Sequence, residues 1–354
     1  MVLHIPACFI PRRSNSSQNV SNLEEMPTHL RAFTKRELKK AMKVTKDTII
    51  VDGRFGNICK AVVKSLQHPK HHIEVAVRCG RRDMTYKKYA TQVKVLGAIN
   101  HPNLIRLIGY VEDNVQMLVY EHVPNNSVFH YLHSCDTTPL SWVMRLKVAH
   151  DVACGLAYLH EDSNFQVTLG DFSSANILLD ENWNAKLTDI GVAPNKEDED
   201  YCQQRTTVMQ YAAQYEAPEC YMTGNLTHMC KVWSYGLFLY ELITSRRPRD
   251  FNRPEGESML EEWVKPYVKT RNFIKIIDPR LKVYSIESVK KLSNIAMCCL
   301  ATNPKKRPKM IEVLHMVSEI IASISTTIEY PKKDDHPIKD NTEKWSFRAL
   351  FRFK

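Results

Sequence analysis

A set of short motifs in a fixed order between Val51 and Pro308 constrains the fold of this chain more than any other feature of its sequence. Each motif alone is weak, because a short glycine-rich or acidic fragment is more often a turn than a ligand site. Their combined order and spacing are highly specific. They occupy residues 51–58, 75–78, 101–104, 118–121, 171–179, 189–191, 217–219 and 307–308.

The periodicity of apolar residues changes near residue 125. Before this point, a helix is predicted over residues 33–43 and another over 86–99, and β-branched and aromatic residues predict strands over 48–51, 58–63, 72–77, 104–111 and 115–120. After it, short strands are predicted near Thr168 and Leu178, and long amphipathic patterns predict helices over 139–160, 229–244, 259–269, 288–300 and 310–326. We therefore predict an α+β fold with a small β-rich N-terminal lobe and a large helical C-terminal lobe.

The composition excludes several classes of protein. The 354 residues include 49 Lys and Arg against 39 Asp and Glu, a formal net charge of +10, but the basic residues are spread along the chain. Such a distribution does not favour nucleic acid as a partner. The longest apolar runs are too short to span a bilayer. The ten cysteines form no C-x-x-C pair, so reduced thiols in an intracellular protein are expected rather than a disulfide frame or a zinc site.

The motifs together resemble those of the eukaryotic protein kinase family. More narrowly, residues 33–38, 140–160 and 245–267 resemble the receptor-like cytoplasmic kinases of plants. The resemblance implies a bilobal kinase-like domain over residues 33–325, with an N-lobe over about 45–123 and a C-lobe over about 124–325. It leaves a flexible tail at residues 1–32 and a basic tail at 326–354.

The resemblance also implies a site for ATP and Mg²⁺. The glycines of the first motif let backbone N–H groups approach phosphates without side-chain collision. The implied nucleotide-binding residues are Gly53, Gly56, Ala76, Arg78, Glu121 and Val123. Asp171 takes the position of the catalytic base, and Asn176 and Asp189 take those of the metal ligands, since hard oxygens suit Mg²⁺. Glu219 and Arg307 resemble the buried structural ion pair of the family.

Several residues depart from the family pattern in the N-lobe. Val51 stands where the family has the first loop glycine, and a β-branched residue is stiff. Arg78 replaces the lysine that holds the phosphates, although a planar, forked guanidinium is not an equivalent point charge. Gln92 aligns with the glutamate that pairs with this lysine. Arg78 could contact phosphate, or point to solvent or to Gln92, and the sequence does not decide between these.

Further departures lie in the C-lobe. Gly170 replaces the arginine before Asp171, and Ser173 replaces the lysine that neutralises the transferring phosphoryl group. Removing comparable electrostatic groups costs on the order of 10²–10³ in rate. Lys231 replaces an aspartate that accepts hydrogen bonds from the catalytic-loop backbone, which a lysine cannot do. Residues 210–216 lack the threonine of the family's substrate-docking segment.

These losses favour one functional interpretation over its alternative. The favoured interpretation is a pseudokinase that acts as an adaptor, scaffold or decoy in plant immune signalling, with weak or absent binding of ATP and Mg²⁺. The alternative is a weakly active ATP-dependent Ser/Thr protein kinase. A non-kinase module that binds nucleic acid or membrane is the least favoured.

The expected partners are other signalling kinases or immune receptors, and no nucleic acid is expected. The expected location is the cytoplasm, with peripheral contact at the plasma membrane as an extension. Thr206 and Thr207 lie where the family is often phosphorylated, but two solvated threonines fit equally well. An idle thiol is favoured over acylation at Cys8, and a solvated tail over membrane contact at residues 345–354. The sequence does not predict an oligomeric state.

Overall fold

The structure is a computed structural model. It describes residues 26–42, 49–53, 56–65, 71–80, 86–111, 116–161, 167–170, 172–192, 214–223 and 227–327. The catalytic-base position Asp171, the threonines Thr206 and Thr207, Cys8 and the segment 345–354 lie outside these residues.

A six-stranded sheet forms the N-lobe. Its strands are β1 (Arg31–Phe33), β2 (Ile49–Gly53), β3 (Gly56–Lys64), β4 (His72–Cys79), β5 (Leu107–Val111) and β6 (Met117–Glu121). Their order is β1-β5-β6-β4-β3-β2. All neighbours are antiparallel except β1, which pairs parallel to β5. Because side chains alternate across a strand, each face of the sheet carries its own apolar set.

Two helices cover the two faces of the sheet. Helix α1 (Lys35–Ala41) begins after the N-cap Thr34, whose hydroxyl oxygen accepts the Glu37 backbone N–H at 3.1 Å. Its Leu38 packs in an apolar cluster that includes Val75 and Val77 of β4. Helix α2 (Tyr86–Ala98) covers the opposite face and buries Tyr89, Val93 and Leu96, a spacing of one helical face.

The C-lobe is predominantly helical. Its helices are α3 (Val128–His133), α4 (Trp142–Glu161), α5 (Pro218–Thr223), α6 (His228–Thr244), α7 (Leu260–Lys269), α8 (Ile286–Cys299) and α9 (Met310–Thr327). Four short strands accompany them: β7 (Val167–Leu169), β8 (Ile177–Leu179), β9 (Ala185–Leu187) and β10 (Ile190–Val192). Helix α6 packs against α4 and α8, and residues 232–244 of it are all buried. Among the described residues, no helix is long and apolar enough to cross a membrane.

The predicted fold class is confirmed, and the long helices begin and end within a few residues of their predicted limits. The N-terminal boundary differs. Residues 31 and 32, which we assigned to a tail, form β1, and Phe33 ends that strand instead of opening a helix. Leu30 is buried with the α2 residues, so the folded part begins before residue 33. Three residues are too few for a period-two pattern to reveal, which explains the error.

Candidate active site

The sheet places Ala76 and Arg78 side by side on one face of β4. Ala76 pairs with Tyr120 of β6, and Arg78 pairs with Leu118. Leu118 belongs to the apolar cluster that contains the α2 residues, whereas Val77 packs on the α1 side. Alternation along β4 therefore directs Ala76 and Arg78 toward the face of the sheet that α2 covers.

The structure answers what Arg78 contacts. Its guanidinium carbon lies 5.6 Å from the centre of the Tyr120 ring, within the range of a cation–π contact. Gln92 is not its hydrogen-bond partner: the Gln92 Oε1 atom is buried and has no hydrogen-bond partner among the described residues. Burial raises the pKa of the Tyr120 hydroxyl, the charge of Arg78 lowers it and that of Asp189 raises it. Arg78 and Asp189 thus both act on the same side chain.

The segment after β6 joins the two lobes. The Glu121 carboxylate does not point to a free surface, because its Oε1 accepts the Lys186 ammonium at 2.9 Å and the Arg106 backbone N–H at 2.9 Å. Any contact of Glu121 with a nucleotide therefore comes from its backbone. The backbone N–H of Val123 makes no hydrogen bond within the described part of the chain. This is the group that a hinge would offer to an adenine ring.

Gly53 and Gly56 face each other across the β2–β3 hairpin. They are the last paired residues of the two strands, and only residues 54 and 55, which lie outside the described set, separate them. Val51 pairs with Ile58 in the same hairpin. The hairpin expected from the sequence is therefore present, and the roles of its glycines in phosphate binding stay a prediction.

The two predicted metal ligands are held on neighbouring backbone segments. The Asn176 carbonyl oxygen accepts both the backbone N–H and the hydroxyl of Thr188, each at 2.9 Å. Thr188 directly precedes Asp189, so these bonds fix the spacing of the two positions. An amide oxygen and a carboxylate are ligands that suit Mg²⁺, and the residues present fit the metal on that ground.

Gly170 lies against Asp189. The Gly170 backbone N–H donates to the Asp189 carbonyl oxygen at 2.9 Å. A Cβ atom at position 170 would lie 2.5 Å from Asp189 Oδ2, closer than such atoms approach. Asp189 itself has a φ of +57°, in the left-handed region. A side chain at position 170 would therefore require the Asp189 carboxylate to move, so glycine leaves this carboxylate its position as well as removing an arginine.

Lys231 holds the same loop by a different bond from the one expected. A lysine cannot accept backbone N–H groups, but here its ammonium donates to the Gly170 carbonyl oxygen at 2.9 Å. The anchor between α6 and the catalytic loop is thus retained with the opposite hydrogen-bond polarity. The statement that a lysine cannot accept these bonds stands, but it considered only the acceptor that disappears and not the donor that takes its place.

A buried acid that the sequence analysis missed connects the loop to the segment before α5. Glu241 of α6 is fully buried and accepts the Ser174 hydroxyl at 2.7 Å. It also accepts the Tyr215 hydroxyl and contacts His133 Nε2 at 2.7 Å. Burial and the Glu241 charge raise the pKa of Tyr215 well above its usual range. A lone acid inside the apolar run of α6 was the signal that could have revealed it.

The predicted ion pair is formed. Arg307 donates to both carboxylate oxygens of Glu219, at 2.5 and 2.9 Å, and also to the carbonyls of Ala301 and Met229. Its side chain is 0% exposed. Burial alone would raise the pKa of Glu219, but the hydrogen bonds and charge of Arg307 outweigh it and hold this pKa below its usual range.

One expectation about the cysteines is contradicted. Cys220 and Cys230 form a disulfide bond. We expected reduced thiols throughout, because the two residues are ten apart and show no recognised spacing. The placement of α5 beside the first turn of α6 brings them together, and this closeness is not visible in the sequence.

The fold and the arrangement of these residues define a protein kinase. The family described as protein tyrosine and serine/threonine kinase matches residues 44–317, and the chain belongs to it. The relatives agree. The Arabidopsis thaliana serine/threonine-protein kinases PCRK1 and PCRK2 are 45% and 44% identical over 323 and 324 residues. These matches cover 88% and 89% of this chain and 76% of each relative.

A rice protein extends the same picture. The receptor-like cytoplasmic kinase 176 of Oryza sativa subsp. japonica is 34% identical over 334 residues, which cover 88% of this chain and 84% of that protein. These findings confirm the resemblance to receptor-like cytoplasmic kinases. They contradict our favoured interpretation, the pseudokinase, because the similar proteins are named as serine/threonine-protein kinases. The substitutions in the motifs, taken alone, were given too much weight.

Proposed function

We propose that this protein is an ATP-dependent Ser/Thr protein kinase with a slow phosphoryl-transfer step. The observation that carries the proposal is the set of backbone bonds that tie Asn176, Thr188, Asp189 and Gly170 together. These bonds keep the two metal-ligand positions side by side although the sequence around them departs from the family pattern. The kinase names of the relatives support the same reaction.

Each residue has a defined task in this proposal. Bound Mg²⁺–ATP supplies the phosphoryl group and the charge that shields it. Asn176 and Asp189 hold the metal, and Arg78 leaves the Tyr120 ring to meet the phosphates. Gly53, Gly56 and Ala76 leave room for the nucleotide, and the backbone of Glu121 and Val123 meets its base. Asp171 orients the hydroxyl of the protein substrate and accepts its proton.

The slow step follows from Ser173. A developing negative charge on the transferring group is best stabilised by a preorganised cation, and a serine hydroxyl offers only a neutral hydrogen bond. Arg78 also replaces a compact ammonium by a larger planar group, which changes the geometry of the phosphate contact. Binding of ATP is accordingly expected to be weaker than in a relative with lysine at both positions.

The cellular setting is a further part of the proposal. We propose that the protein works in the cytoplasm beside other signalling kinases or immune receptors, with peripheral contact at the plasma membrane. The name of the rice relative, a receptor-like cytoplasmic kinase, supports the first half of this statement. Nucleic acid is not an expected partner.

The test is a labelled-phosphate assay with the full chain, Mg²⁺–ATP and a general protein substrate, followed by identification of the phosphorylated residue type. We expect slow incorporation on serine and threonine that chelation of Mg²⁺ stops. Asp189→Asn should remove it, whereas Asp136→Asn, which changes an exposed acid beyond α3, should not. Absence of labelling in both the wild type and Ser173→Lys would contradict the proposal.

A further inference from the structure

The disulfide between Cys220 and Cys230 joins two helices beside the Glu219–Arg307 pair. Cys220 lies in α5, and Cys230 lies in the first turn of α6. Their Cα atoms are 6.5 Å apart, within the range that a disulfide spans. Both residues are 2% exposed. Among the described residues, the other cysteines form no disulfide bond: Cys59, Cys79, Cys135, Cys154, Cys298 and Cys299.

The surroundings favour a bond between the two sulfurs over a metal site. Ligand atoms of Glu219, Cys220 and Cys230 lie within 4.8 Å of one another, so a soft divalent cation is the competing occupant. The Glu219 carboxylate, however, is already engaged by both terminal nitrogens of Arg307. A cation in this cluster would have to displace a buried guanidinium. A disulfide needs no such change.

Cys230 is the more reactive partner by position. The Thr227 backbone N–H donates to its sulfur at 3.4 Å in the first turn of α6, which is 17 residues long. The sulfur also lies 3.7 Å from Oε1 of the Glu219 carboxylate, whose charge Arg307 offsets. The N-terminal turn of a helix favours negative charge, and the thiolate is the form of cysteine that reacts. Cys220 faces it from α5 and completes the pair.

We infer that Cys220 and Cys230 are a reversible oxidation site for peroxides, which goes beyond the proposed kinase activity. One hydrogen peroxide molecule oxidises the Cys230 thiol to a sulfenic acid and releases water. The Cys220 thiol then attacks that sulfur, the S–S bond forms, and a second water leaves. A dithiol reductant reverses the bond by exchange: it gives up two electrons and two protons and becomes a disulfide itself.

The disulfide bond links α5, at the substrate-docking end of the C-lobe, to α6, the helix that holds the catalytic loop. Helix α5 follows Tyr215, whose carbonyl oxygen accepts the Ser234 hydroxyl of α6 at 2.8 Å. Lys231, next to Cys230, holds Gly170. These contacts and the Glu219–Arg307 pair all coexist with the closed disulfide. Oxidation is therefore expected to stabilise this arrangement and not to distort it.

Cys59 and Cys79 provide a matched comparison within the same molecule. They lie on the neighbouring strands β3 and β4, and burial together with the charge of Cys59 raises the pKa of Cys79. Cys59 pairs with Val77, two residues before Cys79, so the two thiols are diagonal neighbours and stay free. Closeness alone does not make a disulfide here, and this pair tests whether the oxidation is selective.

The experiment treats the purified full chain with hydrogen peroxide or with dithiothreitol and maps disulfides by mass spectrometry of unreduced peptides. We expect a Cys220–Cys230 link after peroxide that dithiothreitol reopens, and no Cys59–Cys79 link. Closing a loop of this length raises the melting temperature by roughly 5 °C. Cys220→Ser and Cys230→Ser should each abolish this redox-dependent rise, and Cys59→Ser should keep it.

The disulfide map of the wild-type chain tests the proposal even if a serine variant does not fold. The experiment does not measure phosphoryl transfer, so its result is independent of the proposed kinase activity. Free thiols at both positions after peroxide would overturn it, and so would oxidation of Cys230 to a sulfinic acid without a link. Binding of one Zn²⁺, added alone to the reduced chain and lost in Cys230→Ser, would assign the cluster to a metal instead.

Discussion

At the base of the C-lobe, around the Glu219–Arg307 pair, the buried guanidinium has its hydrogen-bond partners within the protein, whereas in the cleft, around Arg78 and Gln92, a buried side-chain oxygen has none among the described residues. Arg307 donates to two carboxylate oxygens and two backbone carbonyls. In the cleft, Arg78 lies over an aromatic ring, and the buried Gln92 oxygen has no hydrogen-bond partner among the described residues. A polar side chain that binds a ligand does not need a partner within the protein, whereas a buried side chain that holds the fold together does. We therefore expect substitutions of polar residues in the cleft to destabilise the fold less than substitutions at the base.

The largest effect is expected from breaking the base. Arg307→Ala should lower the free energy of unfolding by about 3–5 kcal/mol, because it leaves Glu219 without its buried partner. Urea denaturation monitored by circular dichroism measures this. Lys265→Ala, which removes an exposed ion pair to Glu262, is the control and should change it by less than about 1 kcal/mol. Equal effects of the two substitutions would remove the distinction between base and cleft.

The next prediction concerns the cleft, where a substitution should change the rate of phosphoryl transfer and leave the stability of the fold unchanged. Ser173→Lys should raise the rate of phosphoryl transfer roughly 10²–10³-fold, because it restores a cation beside the transferring group. Its midpoint of urea denaturation should stay close to that of the wild type, since Ser173 forms no part of the base. The rate of labelled-phosphate transfer at saturating ATP measures the gain. An unchanged rate would mean that the slow step has another cause.

A third effect is a dependence of stability on pH. Burial lowers the pKa of His101 to about 4, with Lys186 adding to the effect and Asp151 opposing it. Its Nδ1 accepts the Asn103 backbone N–H at 3.1 Å, as a neutral ring can. The folded pKa lies below the unfolded value near 6.5, so the contribution is complete above pH 6.5 and is lost as the pH falls toward 4.

His101→Asn, which keeps an acceptor at this position, isolates that contribution. Between pH 6.5 and pH 5, the wild type should lose about 2 kcal/mol more of its free energy of unfolding than the variant does. Burial lowers the pKa of His160 in the same direction, to about 3, and both proteins keep that residue. Parallel curves of stability against pH would show that His101 does not titrate in this range.

The smallest effect tests the contact that connects the two regions. Lys231→Met should lower the free energy of unfolding by about 1 kcal/mol, because one hydrogen bond to the Gly170 carbonyl is lost. It should also slow phosphoryl transfer, since Gly170 contacts Asp189 directly. Lys231→Arg retains a donor and should behave nearly as the wild type. If Lys231→Met changed neither the free energy of unfolding nor the rate of phosphoryl transfer, this contact would not couple the base to the cleft.

The sequence by itself determined the fold class and the long helices, because apolar periodicity is carried by neighbouring residues. It also led to the Glu219–Arg307 pair, 88 positions apart, but only through the resemblance of the motifs to the kinase family. Other features depend on contacts that no motif or periodicity records, and only the tertiary structure decided them. A disulfide bond joins Cys220 of α5 to Cys230 of α6. Glu241 meets Ser174 across 67 positions, and Lys231 meets Gly170 across 61. Lys231 shows the physical reason. The sequence shows that an aspartate is replaced by a lysine, but only the packing in three dimensions shows that the lysine ammonium contacts the Gly170 carbonyl oxygen.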